Sequence, residues 1–134
     1  MSLSDEERHA IVLYRIEKAQ TALADIHKIL TLEMWSIIAN RMYYALYYAA
    51  SALLIHDRHK VSTRKGVIAL FNLYYIKEGL LPKEDGVLFA NIFAFRQGSD
   101  YDDFFDATEE DVKRYLPQVE ALVRKIISLL NQQG

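Results

Sequence analysis

Cysteine is absent from the 134-residue chain, which excludes a disulfide framework, a thiol nucleophile and any cysteine-based metal site. The absence is typical of a reducing compartment, and the acidic, polar N-terminus differs from a secretory signal. We therefore expect a cytoplasmic protein. Proline and glycine are scarce, at two and five residues, and no internal repeat, low-complexity tract or linker interrupts the sequence. This composition predicts one domain over residues 1–134.

Long apolar runs are also missing. The longest extends from Met42 to Ile55 and is interrupted only by Ser51, whereas a membrane span needs about 20 residues. A run of this length is typical of a buried core helix, so we predict no membrane segment.

Signals for metals and cofactors are lacking as well. His56 and His59 are spaced i,i+3, but no second cluster completes a zinc site. The acids between 100 and 111 lack the glycine and terminal glutamate of a calcium-binding loop. No glycine-rich phosphate loop or nucleophile elbow occurs, and we predict neither a metal nor a cofactor.

Charge is nearly balanced overall but unevenly placed. The net charge of −2 does not indicate a protein that coats nucleic acid. Residues 58–65 hold four cations and no acid, and residues 100–111 hold seven acids. Two solvated loops would give this pattern for solubility alone.

Helical periodicity is the strongest pattern in the chain. Six apolar residues of the first segment repeat every three or four positions, and Ser4 with Glu7 forms a capping box, which predicts a helix over 5–31. The second segment, 33–55, is apolar on every side, which predicts a helix at the bundle centre or in a subunit interface. The six residues of the first stripe are Val12, Ile16, Ala19, Leu23, Ile26 and Leu30.

Two further helices follow the basic segment. Ser62 or Thr63 is suited to cap the third helix, and Gly79 is suited to close it in the left-handed conformation. Pro82 is well placed at the start of the fourth helix, and we expect Gly98 to end it.

The fifth helix is predicted to begin at Thr108, with Asp111 three residues on and acids in its first turn. Pro117 lies inside this helix and should bend it without ending it. No segment alternates with period two between turn signals, so we expect no sheet. The predicted fold class is therefore all-α, an antiparallel up-and-down bundle of about five helices.

Arg96 is the most informative polar residue. It lies three residues after Phe93 and four after Ile92, and hence on the apolar face of the fourth helix. A guanidinium there cannot lose its charge and needs a partner. Arg96 either pairs with Asp100, four residues on, or meets a ligand in a cleft at the end of the bundle.

The second helix contributes another polar pair, Asn40 and Arg41, within an apolar stretch. Arg41 either extends to the surface or shares a polar pocket with Arg96. On the second interpretation, Arg96, Asp100 and Tyr101 line one cleft near the end of the fourth helix, with Asn40 or Arg41 close by. The glycine expected to end this helix would let the chain turn back toward the arginine.

Four tyrosines of the second helix form two i,i+4 pairs. Such a stripe is usually part of the core, with its hydroxyls reaching the rim. The alternative is base stacking, because ring faces beside arginine and lysine suit single-stranded nucleic acid and the basic segment is near. The four residues are Tyr43, Tyr44, Tyr47 and Tyr48.

Three segments, in this order, resemble the HEPN family, the higher eukaryote and prokaryote nucleotide-binding domains. They are NRMYYALYYAASALL at 40–54, STRKGVIALF at 62–71 and FRQGSDYDD at 95–103. The resemblance implies a helical bundle, commonly a homodimer. It also implies a bacterial or archaeal setting beside a small nucleotidyltransferase, often as a toxin–antitoxin pair.

Active HEPN ribonucleases carry an arginine followed after four to six residues by a histidine, and only Arg96 carries over. No histidine occurs after His59, so the chain has Arg-x4-Tyr, with Tyr101 in the histidine's place. A metal-free ribonuclease needs a group that moves a proton near neutral pH, which histidine does and an ordinary tyrosine does not. We therefore assign no catalytic residue. In some family members the partner nucleotidyltransferase modifies a tyrosine just beyond the motif, which makes Tyr101 a candidate for modification.

Three functions follow as hypotheses. The first is a non-catalytic partner or nucleotide-binding module, with nucleotide or RNA as its ligand. The second is an RNA-cleaving toxin that uses Arg96 with an unusual base. The third is a purely structural dimerisation protein. We expect a two-fold homodimer through the second or fourth helix, since the second is apolar on more faces than one bundle can cover.

Overall fold

The computed structural model describes residues 2–101 and 106–132 as a bundle of five α-helices. Part of the acidic segment and of the third HEPN-like segment therefore lies outside the described residues. Within the described ranges no strand occurs, so the predicted all-α class is confirmed. The helices are α1 Asp5–Ile29, α2 Trp35–His56, α3 Arg64–Phe71, α4 Lys83–Tyr101 and α5 Glu109–Gln132.

The start of α1 is set by the predicted capping box. The Ser4 hydroxyl accepts from the Glu7 amide, and the Glu7 carboxylate accepts from the Ser4 amide. A 3₁₀ turn, Leu30–Leu32, extends the helix to the predicted end, and Glu33 then adopts a left-handed conformation with φ of 56°. Capping and the apolar stripe together place α1 where the sequence predicts it.

Helix α2 is the centre of the bundle and packs against all four other helices. Five alanines on it are fully buried, which lets the neighbouring helices approach closely. The apolar surface of α2, which we predicted to be too extensive for one bundle to cover, is thus largely covered within the monomer. The premise of the dimer prediction is corrected accordingly. The five alanines are Ala39, Ala45, Ala49, Ala50 and Ala52.

Turn chemistry controls the ends of α3. The Thr63 hydroxyl accepts from the Gly66 amide at 2.9 Å and caps the helix. A π-helical turn, Asn72–Ile76, continues it, and Gly79 closes the segment with φ of 81°. The predicted cap and the predicted left-handed glycine are both present.

The predicted end of α4 at Gly98 is wrong, because the helix continues to Tyr101. Gly98 keeps a negative φ, since Gly79 is the positive-φ glycine of the described residues. A glycine inside a helix costs about 1 kcal/mol relative to alanine but does not stop it unless the chain turns left-handed. The Arg96–Asp100 pair, one turn apart, spans the glycine on the helix surface.

Helix α5 begins at Glu109, one residue after the predicted start at Thr108. The Thr108 hydroxyl accepts from the Asp111 amide, and the Asp111 carboxylate accepts from the Thr108 amide, each at 3.2 Å. Pro117 lies inside the helix, which continues past it to Gln132. None of the helices in the described parts of the chain is long and apolar enough to cross a membrane.

Candidate functional site

Arg96 lies on the buried side of α4, the side on which the spacing places it. Only 9% of the residue is exposed, and its buried neighbours on the helix include Phe89 and Ile92. The guanidinium is therefore held between helices at the edge of the core, where an uncompensated charge would be strongly unfavourable.

Asp100 provides the opposite charge. Its Oδ2 lies 2.9 Å from Arg96 Nε, and the two side chains are 25% and 11% exposed. The Arg96 Nε group has no hydrogen-bond partner among the described residues, so this contact is a close ion pair without hydrogen-bond alignment. The i,i+4 spacing of a continuous helix brings the two together. A turn at Gly98, expected from the sequence, is not needed.

Aromatic rings enclose the guanidinium on its remaining sides. The carbon of the Arg96 guanidinium lies 5.3 Å from the Tyr101 ring centroid and 5.6 and 5.7 Å from those of Tyr43 and Tyr44. Arg96 Nη2 also donates to the Tyr101 hydroxyl at 3.4 Å. Cation–π contacts at these distances stabilise a charge that is partly removed from water.

Helix α2 completes the cleft from the other side. Asn40 Nδ2 donates to Asp100 Oδ2 at 3.4 Å, and Arg41 donates to Asn40 Oδ1 from Nε at 3.2 Å and from Nη2 at 2.9 Å. The five residues named from the sequence therefore form one connected polar group. It runs from Arg41 through Asn40 and Asp100 to Arg96 and Tyr101.

The cleft itself is shallow. A surface depression of about 250 Å³ beside Asp100 is lined by Ser36, Ile37 and Asn40, and its lining does not include Arg96. Pockets that enclose small molecules usually have about 300–1,000 Å³. The site thus offers a polar surface, rimmed by the 70% exposed Tyr101, more than an enclosing pocket.

Tyr43 forms the floor of this group and behaves as a core residue. Its ring is fully buried, and its hydroxyl has no hydrogen-bond partner in the described part of the chain. Burial raises the pKa of Tyr43 to about 12, because the phenolate would lose its hydration. At neutral pH Tyr43 therefore stays protonated and does not serve as a base.

The histidines have other contacts. His27 lies 3.2 Å from Glu120, His56 lies 2.9 Å from Asp57, and His59 stacks on Tyr74 with ring centroids 3.7 Å apart. Within residues 2–101 and 106–132, no group of three or more potential ligands is placed to hold a metal ion.

The sequence analysis missed the contribution of α1. Arg15 donates to Ser51 Oγ at 3.1 Å, and its guanidinium lies 5.9 Å from the Tyr47 ring centroid. The signal was present in the spacing of Arg15, which lies four residues before Ala19 and therefore at the edge of the buried face of α1, with Tyr14 and Lys18 on the exposed side next to it. Only packing against α2 joins them to the tyrosine stripe.

Comparison with known proteins identifies relatives across most of the chain. A UPF0332 protein of Thermotoga maritima is 33% identical over 124 residues, which cover 92% of this chain and 94% of the relative. Two relatives from Methanocaldococcus jannaschii are named "Putative toxin MJ0605" and "Putative toxin MJ0142". The first is 29% identical over 92 residues, covering 69% of this chain and 68% of the relative. The second is 26% identical over 110 residues, covering 82% of this chain and 75% of the relative.

The HEPN domain family matches residues 12–130, a range that contains α2, α3 and α4 whole and most of α1 and α5. The three segments that resemble the family all lie within it. The chain therefore belongs to the HEPN family.

Proposed function

We propose that the chain is a binding module of a toxin–antitoxin-type system and acts together with a separately encoded nucleotidyltransferase. Membership of the HEPN family and the toxin names of two relatives support the setting. The single observation that carries the choice of binding over cleavage is the pairing of Arg96 with Asp100 at 2.9 Å.

The pairing argues against cleavage on electrostatic grounds. A ribonuclease arginine stabilises a phosphate, whose charge would be repelled by a carboxylate 2.9 Å from the same guanidinium. The position that holds the family's histidine is Tyr101, and Tyr43, whose ring centroid lies 5.6 Å from the Arg96 guanidinium, keeps its proton at neutral pH. The described part of the cleft contains no histidine to move a proton near pH 7.

The surface around the pair suits a protein partner. It is shallow, and it includes the exposed Tyr101 of α4, the exposed Ile37 of α2 and Arg41, whose guanidinium lies 5.2 Å from the Tyr44 ring centroid. Tyrosine and arginine are enriched in protein–protein interfaces, where an aromatic ring and a charged rim supply contact area and orientation. An exposed Tyr101 is also accessible to a modifying nucleotidyltransferase.

The test is calorimetric titration of this chain with the nucleotidyltransferase encoded beside it. Arg96→Ala should weaken binding at least about tenfold, because it removes the central charge of the surface. The exposed Arg124 on α5 provides the control, and Arg124→Ala should leave the affinity unchanged. If Arg96→Ala lowers only the melting temperature, Arg96 is a structural ion-pair residue and the proposal fails.

A second candidate function is RNA cleavage by a toxin that uses Arg96, favoured by the names of the two Methanocaldococcus relatives. Purified protein would be incubated with a single-stranded RNA in the presence of a chelator. Cleavage by the wild type that disappears in Arg96→Ala and persists in Arg124→Ala would replace the binding proposal with this one.

We also infer a two-fold homodimer through α2 or α4. Because α2 is largely covered inside the monomer, its contribution is expected near its exposed start, where Ile37 is 47% exposed. Val87, 50% exposed, is the corresponding apolar residue of α4. A monomer mass in light scattering at micromolar concentration contradicts this inference.

A further inference from the structure

A second polar site lies outside the Arg96 cleft, in a groove between α1, α2 and the start of α3. The groove has a volume of about 490 Å³, and Arg15, Lys18 and Arg64 contribute three cations to its lining. Tyrosines from α1 and α2 supply most of the remaining wall. We infer that this groove binds single-stranded nucleic acid.

Charge is the first support. No carboxylate of the described residues lines the groove, although the chain carries a net charge of −2. Lys18 and Arg64 are both exposed, so their charges are available to an incoming anion. Concentrated positive charge on a slightly acidic protein indicates a local anion site and not a general affinity for polyanions.

The placement of the rings is the second support. Lys18 Nζ lies 5.3 Å from the ring centroid of Tyr14, and the Arg64 guanidinium lies 5.2 Å from that of Tyr44. Each cation thus lies beside an aromatic ring. In proteins that bind single strands, such cations neutralise the phosphates and the neighbouring rings stack on the bases. Tyr14 is 58% exposed, so one of its faces is open to a base.

Preorganisation is the third support. Arg15 donates from Nη1 to Ser51 Oγ at 3.1 Å and to the Tyr47 hydroxyl at 3.4 Å, which fixes the guanidinium at the base of the groove. Ser51 is fully buried. A cation that is ordered before binding loses less conformational entropy when it meets a phosphate.

The same features select the ligand class. An acidic peptide would satisfy the cations but has no need of the tyrosine faces, and a duplex keeps its base faces stacked inside. Single strands expose both phosphates and base faces, and the volume is within the range of sites that enclose ligands of nucleotide size. The inference goes beyond the proposed function, because this groove requires neither the Arg96–Asp100 pair nor a partner protein.

The experiment is fluorescence anisotropy with labelled single-stranded RNA and single-stranded DNA of about 12 nucleotides. Lys18→Glu should weaken binding at least about tenfold, whereas Lys28→Glu, the same charge change ten residues further along α1, should have little effect. Tyr14→Ala should weaken binding several-fold and Tyr14→Phe should not, because the ring and not the hydroxyl stacks. Circular dichroism should be unchanged throughout, since Tyr14, Lys18 and Lys28 are exposed.

Salt dependence and competitors complete the test. Three phosphate contacts predict a slope of roughly −2 for the logarithm of the affinity against that of salt concentration, and Lys18→Ala should reduce it by about 0.7. Equal affinity for RNA and DNA supports base and phosphate recognition, and a preference for RNA adds a contact to the 2′-hydroxyl. Arg96→Ala should leave the affinity within about twofold, because Arg96 does not line the groove and contacts it only through the ring of Tyr44.

Three outcomes would overturn the inference. One is equal binding of duplex RNA or polyglutamate, which would show attraction to charge alone. Another is an equal loss in Lys28→Glu. The third is the absence of binding to either single strand together with loss of a dimer in Lys18→Glu, which would make the groove a subunit interface.

Discussion

The Arg96 cleft and the groove between α1 and α2 are both built from arginine and tyrosine side chains, but the two sites differ in charge. In both, an arginine lies about 5–6 Å from tyrosine ring centroids, and the ring of Tyr44 is shared, at 5.2 Å from the Arg64 guanidinium and 5.7 Å from that of Arg96. The cleft adds the carboxylate of Asp100, which balances its buried cation. The groove has no carboxylate from the described residues, and two of its three cations, Lys18 and Arg64, are exposed to water.

The difference shows that composition alone does not assign a role to an arginine–tyrosine cluster. A buried guanidinium with its own counter-ion has little attraction left for a phosphate and is suited to orient a surface. An exposed guanidinium without one remains available to an anion. The carboxylate is therefore the feature that separates the two sites, and changing it gives the largest expected effect.

Asp100→Asn should be the most disruptive change. It leaves the charge of Arg96 unpaired at 9% exposure, and we expect the free energy of unfolding to fall by about 2 kcal/mol, because Asp100 is itself partly hydrated. Urea denaturation measures the loss. Glu17→Gln on the exposed face of α1 is the matched control and should change the free energy by less than about 0.5 kcal/mol.

The same variant tests the comparison directly. Without its carboxylate the cleft should acquire an affinity for anions that the wild-type cleft lacks. Unchanged stability and unchanged anion binding in Asp100→Asn would mean that the ion pair is not what distinguishes the two sites.

Two buried hydroxyls give the next largest contrast. Tyr75 donates to Asp57 Oδ2 at 2.7 Å and to the Leu53 carbonyl at 3.3 Å, whereas the Tyr43 hydroxyl has no partner among the described residues. Tyr75→Phe should cost about 1.5 kcal/mol of unfolding free energy, and Tyr43→Phe should be neutral or stabilising. Thermal and urea unfolding of the two variants, each compared with the wild type, measures these changes in free energy. A comparable loss in both would reveal a partner for the Tyr43 hydroxyl.

The ionisation of Tyr43 gives a smaller effect that appears only at high pH. Its pKa is raised from 10.0 to about 12, so the unfolded chain releases the proton first, and stability should fall as pH rises from about 10 to about 12. Tyr43→Phe should reduce this slope by up to about 1 kcal/mol per pH unit. Unfolding free energies measured at several pH values test the slope. An unaltered slope would mean that another group causes the loss of stability at high pH. Tyr75 is one such group, because burial and Asp57 also raise its pKa.

Much of the fold was predictable because it depends on local signals. The capping box at Ser4, the cap at Thr63 and the left-handed Gly79 each act within one turn of chain, and each was recognisable from the sequence. Gly98 was not, because a glycine inside a helix and a glycine that ends one differ only in φ, which the surrounding contacts decide.

The two sites were predictable only in part, because only some of their contacts are local in the sequence. Arg96 and Asp100 lie on one helix, so their spacing alone brings them together. Asn40 reaches Asp100 through packing of α2 on α4, and Arg15 reaches Tyr47 through packing of α1 on α2. A single sequence gives the faces of helices but not which two faces meet.

Tyr101→Phe should have the smallest effect on stability and the most selective effect on function. The residue is 70% exposed, and its hydroxyl accepts one long hydrogen bond, at 3.4 Å, from Arg96. The change in unfolding free energy should therefore be less than about 0.5 kcal/mol.

If the partner nucleotidyltransferase modifies this residue, the phenol oxygen attacks the α-phosphorus of a nucleoside triphosphate and pyrophosphate leaves. Intact-protein mass spectrometry should then show the added nucleotide on the wild type and on Tyr14→Phe, whose ring is also exposed, but not on Tyr101→Phe. If the nucleotide is added equally to Tyr101→Phe, another residue is modified, and the cleft serves only as a contact surface for the partner.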